Sequence, residues 1–474
     1  MKTKLLYAAA ALWLSAFAAG ITLYPGSKLI YTIFSLAFLA LLVSGFYRQV
    51  TYGYTLLAVF LWLGFWLKKT IHLIYPSPYM DAGLFDGSPG SWNKVLLIST
   101  VGALGALAAR AIYSWFKGVS TMELRRDRTL VPDWYPPVRG WIWGSLIVFV
   151  TGLSVFNAYW GIHQIGMVPM TIFPWPVNAM VAWTLNIGVA IAIAILLYWD
   201  VCAGYGLIAP LLAVVYEAII TSVSILSRGT FVYHAVPAVF AVIKNRMLEI
   251  RGFRWSVVFY LGLFTLALLL TFFMVTGSRD YYHFGRRAID ADKSATEIVT
   301  MAYSVYPSFD EFSQKIIVVA LYRWIGLDGV MSVYAYPKKG MSLLAKAAME
   351  KRTISAIPLF ERVSGSRSQY MDTRQFQFGG IPGSVGFFYY SGRVWTVFLG
   401  LCLLTLVVLV LERLVWQASR NPFLCSIIGM TVANTVAQFG TAPRQMFPHF
   451  GIILVVAGLV RLFQKRAQSL TNTR

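Results

Sequence analysis

Charge is scarce in this chain: 12% of its 474 residues are charged and 58% are hydrophobic. With a mean hydropathy of +0.65, it is too apolar for a soluble protein of this size, so the composition points to an integral membrane protein. Acidic residues are the rarer sign, 19 against 40 basic, for a net charge of +21. Most of the basic excess lies beside apolar runs. No zinc finger, aromatic RNA-binding pair or basic recognition helix accompanies it, which sets nucleic-acid binding aside. Cysteine is limited to Cys202, Cys402 and Cys425, all in or next to apolar runs, so no exported disulfide framework is indicated. Also missing are a phosphate-cradling loop ending in Lys-Ser/Thr, a dinucleotide fingerprint, a His-Glu-x-x-His motif and an acidic pair at metal spacing. Nothing in the sequence requires a cofactor or a metal.

What is present is a series of long apolar runs. A helix needs about 20 apolar residues to cross roughly 30 Å of hydrocarbon. Runs bounded by Pro, Gly and charge predict an all-α polytopic protein of about twelve spans, at 5–23, 28–46, 50–67, 94–116, 140–160, 177–199, 205–226, 230–243, 256–275, 394–411, 422–440 and 447–463. The opening "MKTKLLYAAAALWLSAFAAG" has the outline of a signal peptide. Another apolar segment follows at once, so a retained first span is the preferred reading. The eighth run is short and contains Pro237, which fits a tilted or broken helix.

Basic residues orient the chain. With the N-terminus inside, the inner segments hold Lys2, Lys4, Arg48, Lys117, Arg125, Arg126, Arg128, Arg139, Lys244, Arg246, Arg251, Arg254, Arg413, Arg420, Lys465, Arg466 and Arg474. Short outer loops are sparse in them apart from Lys68 and Lys69, so both termini are expected to be cytoplasmic. His72, His163, His234, His283 and His449 all fall on or near the outer side.

The chain accordingly divides into spans one to nine over 1–276, a large external segment over 277–393, and three last spans with a cytoplasmic tail over 394–474. The external segment carries 15 Lys/Arg against 10 Asp/Glu. "SATEIVTMAYSVY", "EFSQKIIVVALYRWIG" and "MSLLAKAAMEKRT" have helical apolar spacing. Pro358, Gly365, Gly379, Gly380, Pro382 and Gly383 divide the return path into turns, and "GSVG" at 383–386 reads as a glycine-rich loop. Its aromatic residues suit either the headgroup interface or the faces of sugars.

Charge inside hydrocarbon needs a reason. Glu217 lies eleven residues before Arg228, about 16 Å along a helix and hence near mid-membrane. It must face the bundle interior, pair or be protonated. Arg228 is placed at the outer end of the seventh span, with Gly229 as the break before a helix starting at Thr230. Either it snorkels to lipid phosphate, or it forms an anion site with the following helix N-terminus, His234 lying deeper. In the eleventh span Thr431, Asn434, Thr435 and Gln438 make a polar stripe leading to Arg444 and His449. Hydrogen bonding between helices or a cavity accounts for it. Arg279 opens the external segment and Arg393 closes it. Arg228, Arg279, Arg393 and Arg444 are therefore candidates to bind a diphosphate in the outer leaflet. His283, His449 and His234 are candidate bases, and Glu217 a candidate catalytic carboxylate.

The "SRGTFVYHAVPAVF" stretch, the "IPGSVGFFYYSGRVWTVFLG" return and the large external segment before the last spans resemble the Wzy-type O-antigen and exopolysaccharide repeat-unit polymerases, which are related to the O-antigen ligases. Ser227, Arg228 and Gly229 match the small-residue and arginine stretch, and Pro382, Gly383, Phe387 to Tyr390 and Gly392 the return. The resemblance implies a bacterial inner-membrane, GT-C-type glycosyltransferase that needs no metal. It would polymerise undecaprenyl-diphosphate-linked oligosaccharide on the periplasmic side, among membrane lipids, with a flippase and a chain-length regulator as partners. A ligase acting on lipid A core and a lipid-linked oligosaccharide flippase or transporter are the competing readings.

Overall fold

The structure, a computed structural model, describes residues 2–47, 51–76, 79, 81–117, 128–245, 254–289, 324–351, 357–365, 380–440 and 443–472. Among these residues there are helices and turns but no strand. Every apolar run expected to span falls on a helix: α1 (Lys2–Leu23), α2 (Lys28–Phe46), α3 (Gly53–Ile74), α4 (Pro89–Lys117), α5 (Tyr135–Trp160), α6 (Val177–Ala203), α7 (Ile208–Ser224), α8 (Arg228–Lys244), α9 (Arg254–Ile289), α14 (Val394–Ser419), α15 (Pro422–Ala437) and α16 (Pro443–Asn472). Between α9 and α14 come the short α10 (Leu327–Ala335), α11 (Met341–Ala348), α12 (Leu359–Ser364) and α13 (Gly383–Tyr389). Seven of the described helices are long and apolar enough to cross a membrane, and four more contain shorter apolar stretches. The chain is a multi-pass, all-α membrane protein.

Two features of the external segment differ from expectation. α9 runs past residue 277 to Ile289 without interruption. The glycine-rich 383–386 stretch is not a loop but the first turn of α13. Its helix is poor in intrinsic formers and is held by packing: a Cβ on Gly386 would come within 2.9 Å of the Gly329 carbonyl carbon, and one on Gly329 within 1.9 Å of Pro382 O. α10 and α13 thus meet backbone to backbone. "MSLLAKAAMEKRT" does contain α11, whereas 294–306 and 311–323 lie outside the described residues.

The contacts group the chain into two compact units. The first comprises Met1–Met122, Val319–Leu414 and Val432–Val455. In it α2 packs on α3 and α4 around an aromatic core that includes the fully buried Tyr31, Phe34, Phe38 and Phe65. Glu412, 2% exposed, accepts the backbone N–H of Tyr52 and that of Gly53 at 2.9 Å. It caps the start of α3, where negative charge is favoured. At the far end of α3, Lys68 donates to Asp328 Oδ2 at 2.6 Å and Trp324 O at 3.0 Å.

The second unit comprises Glu123–Val318, Val415–Thr431 and Val456–Arg474. Here α7 packs against α5, α6, α8 and α9. One end of α5 is fixed by Arg139, which makes two parallel bonds to Asp200, Nε to Oδ1 at 2.6 Å and Nη2 to Oδ2 at 2.8 Å, while Tyr135 Oη donates to the same carboxylate at 2.7 Å. At its other end Asn157 ties the following loop to the end of α7: its Nδ2 donates to His163 O and to Ser224 Oγ, and its Oδ1 accepts the His163 N–H.

Candidate functional site

The α7–α8 hairpin of the second unit carries the main cluster. α7 stops at Ser224, and the reversal follows without glycine. Leu226 adopts a left-handed conformation at φ +54°. Its N–H bonds Val223 O at 3.2 Å and the Ser227 N–H bonds Ser222 O at 2.9 Å, the paired bonds of a Schellman stop. A non-glycine left-handed residue costs about 1–2 kcal/mol; Leu226, 2% exposed, offsets that by burying its side chain, worth about 1.5–3 kcal/mol. The break therefore lies at 225–227 and not at Gly229. Arg228 is the first residue of α8 and not the last of the preceding helix.

The hairpin brings two candidate residues together. Glu217 on α7 and His234 on α8, each 3% exposed, bond through Oε1 and Nδ1 at 2.9 Å. Thr221 Oγ1 donates to the same Oε1 at 2.9 Å. The other imidazole nitrogen, Nε2, donates to the backbone carbonyl of Asn186 at 2.9 Å. Asn186 sits in a π turn, Thr184–Gly188, inside α6; such turns disturb the regular carbonyl pairing of a helix and recur at functional sites. Its side-chain Nδ2 donates to His163 Nε2 at 2.9 Å. His163, in the loop between α5 and α6, is pushed below its ordinary value by burial, the Asn186 bond opposing the shift. A hydrogen-bonded line therefore runs from the loop, through Asn186, into the bundle. Both ring nitrogens of His234 are engaged in it.

The same unit places Arg228 and Arg279 along α9. The Arg228 guanidinium lies 5.0 Å from the centroid of the Phe272 ring. Arg279 is 8% exposed and its Nη2 donates to Ile165 O at 3.2 Å. The Ile165 N–H in turn bonds Ile225 O, at the hairpin reversal, at 2.8 Å. Phe272 and Arg279 are seven residues apart, two turns of one helix face. Two of the four candidate arginines are thus anchored around one reversal.

Arg393 and Arg444 belong to the first unit and are exposed, at the starts of α14 and α16. His449 is half-buried on α16. His283 lies on α9, but its side chain is outside the described residues. In the α15 stripe Thr431 bonds Ile427 O at 3.0 Å and Gln438 bonds Asn434 at 2.7 Å, so part of its polarity is spent within its own helix. Sequence reading missed Asn157 and Asn186, lone amides in apolar runs, and the Lys68–Asp328 pair. It also missed Lys69, 3% exposed with Nζ 3.1 Å from the Trp92 ring centroid. Adjacent lysines at the end of an apolar run were the available signal for the last two. Among the described residues no group of three His, Cys, Asp or Glu side chains assembles a metal site. No family model, no curated protein and no solved structure matches the chain.

Proposed function

We propose that the protein is a glycosyltransferase that polymerises undecaprenyl-diphosphate-linked oligosaccharide repeats at the periplasmic face of a bacterial inner membrane. The observation that supports this reading most directly is the anchoring of Arg228 and Arg279 around the α7–α8 reversal. Planar guanidinium groups match phosphate oxygens and hold their charge. In this reading the chain has twelve spans, cytoplasmic termini and a periplasmic 277–393 segment. The related GT-C plan, the flippase and the chain-length regulator follow from the family resemblance.

In the reaction, the bond between the anomeric carbon of the growing chain and its diphosphate oxygen breaks, and the electron pair leaves with the diphosphate. An acceptor hydroxyl oxygen on the incoming lipid-linked repeat forms the new bond, and its proton passes to a base. Arg228 and Arg279 would stabilise the negative charge that develops on the leaving group. His283 would take the proton. His234, with both nitrogens engaged, and Glu217 would hold the α7–α8 hairpin in position.

Reconstituted protein with defined lipid-linked repeats provides the test. A product ladder is the expected result. Single transfer to lipid A core would assign a ligase instead, and carrier movement without a new bond a transporter. Arg228→Lys and Arg279→Lys keep the charge but lose the fork; each should reduce ladder synthesis by about 10-fold or more, the size of one lost charged hydrogen bond. Full activity in both variants would overturn the assignment of these arginines.

A further inference from the structure

Glu217 has a second oxygen that the hairpin does not use. Oε1 accepts from Thr221 and faces His234 Nδ1, whereas Oε2 makes no hydrogen bond among the described residues. Glu217 also lines a crevice in the second unit, between α5, α6 and α7, with Trp143, Ile147, Val150, Ile193 and Tyr216. The rim faces outward: its Ile147 and Tyr216 are each 38% exposed. In a membrane-spanning bundle such a face meets lipid.

We propose that Glu217 is a proton-exchanging carboxyl that opens through this crevice onto the hydrocarbon side of the bundle, with His234 as its fixed partner. The ligand is a proton. His234 must carry hydrogen on Nε2, because the Asn186 carbonyl can only accept. The Nδ1–Oε1 contact then shares one proton, and the pair is neutral overall. Uptake adds a proton to Oε2, taking the pair to one positive charge; release returns it to neutrality. Losing the shared proton as well would set the lone pairs of Nδ1 and Oε1 against each other, so exchange is confined to Oε2.

Several other ionisable groups on the helices around α7 are committed elsewhere. On α5 and α6, Arg139, Tyr135 and Asp200 satisfy one another at the helix ends. On α9, Tyr260 donates to Leu211 O. On α7 itself, Tyr216 bonds Thr151. In the connecting loop, His163 reaches the cluster only through Asn186. Arg228, at the start of α8, lies over Phe272. The site goes beyond glycosyl transfer and gives the bundle a proton-linked step.

The test is chemical labelling of the full-length protein in lipid nanodiscs with dicyclohexylcarbodiimide, against a water-soluble cationic carbodiimide. A protonated carboxyl passes its proton to a carbodiimide nitrogen while its oxygen bonds the central carbon. An oxygen-to-nitrogen shift then leaves an N-acylurea that retains the whole reagent mass. Peptide mass spectrometry should find this adduct on Glu217 with the lipophilic reagent, about tenfold faster than with the soluble one, at a rate that falls as pH rises. His234→Asn takes the imidazole out of the pair, so the labelling rate of Glu217 at a given pH should change by about tenfold. An unlabelled Glu217, equal rates with both reagents, a rate independent of pH in the wild type, or a profile unchanged by His234→Asn would each overturn the proposal. The wild-type arms need no variant to fold, and the adduct is read whichever way the polymerisation assay falls.

Discussion

Asp200 and Arg139 form an unequal pair. The carboxylate is fully buried, while the arginine side chain is 26% exposed. Truncating the two partners therefore leaves different residues behind. Arg139→Gln strands a buried negative charge with Tyr135 as its remaining side-chain donor, an arrangement that costs about 3–5 kcal/mol. Asp200→Asn keeps the shape and an acceptor for Tyr135, and leaves a guanidinium that can turn to water; its cost should be nearer 1–3 kcal/mol. Heat-induced aggregation of the purified variants in detergent should rank wild type above Asp200→Asn above Arg139→Gln. Equal or reversed midpoints would contradict the asymmetry. His163 is the opposite kind of residue. Burial favours its neutral form, so its contribution to stability is present above the unfolded histidine value of about 6.5 and is lost as pH falls below it.

At the level of elements, the crossing of α10 and α13 is a demanding contact, because backbone faces backbone. Gly329→Ala would drive a methyl group into Pro382 O, which cannot rotate away as a side chain could. A loss of about 1–3 kcal/mol or more is expected, read as a lower unfolding midpoint and as earlier protease cleavage around 380–390; an unchanged midpoint would show that the crossing yields. This contact also explains what the sequence hid. Among the described residues the apolar runs located every long helix, because burial of a continuous apolar length is itself the span signal. Helix ends extended beyond the runs, as in α4, which runs Pro89–Lys117 where 94–116 was expected. α13 read as a loop because Gly383, Ser384 and Gly386 are weak helix formers and only packing holds them. The hairpin break was placed at Gly229 because glycine is the usual left-handed residue, while the chain uses Leu226. With the break at Leu226, Glu217 and His234 stand nine residues before it and eight after it, at matching depth, so their pairing was within reach of the sequence once the turn was correctly located. The π turn that supplies Asn186 left no comparable trace.

For the molecule as a whole, orientation in the membrane follows from where its positive charge is placed. Gly90, at the start of α4, and Gly206, between α6 and α7, are exposed, and a Cβ at either meets open space. The native Cys202, Cys402 and Cys425 are all buried, so they give little background to a thiol scan. In intact cells a membrane-impermeant maleimide should label Gly90→Cys directly and Gly206→Cys only after permeabilisation. The reverse pattern would invert the topology, and equal labelling of both before permeabilisation would mean that α4, α5 and α6 do not make three crossings between them.

The two ends of α3 depend on residues far along the chain. Lys68 finds Asp328 260 positions later, and Tyr52 finds Glu412 360 positions later. At synthesis rates of about 5–20 residues per second, the lysine waits roughly 13 to 50 seconds for its counter-charge and the helix start waits longer still. During that interval the third helix is in place without its partners. Its final seating is a late event in biogenesis, set by the clock of translation as much as by its own hydrophobicity.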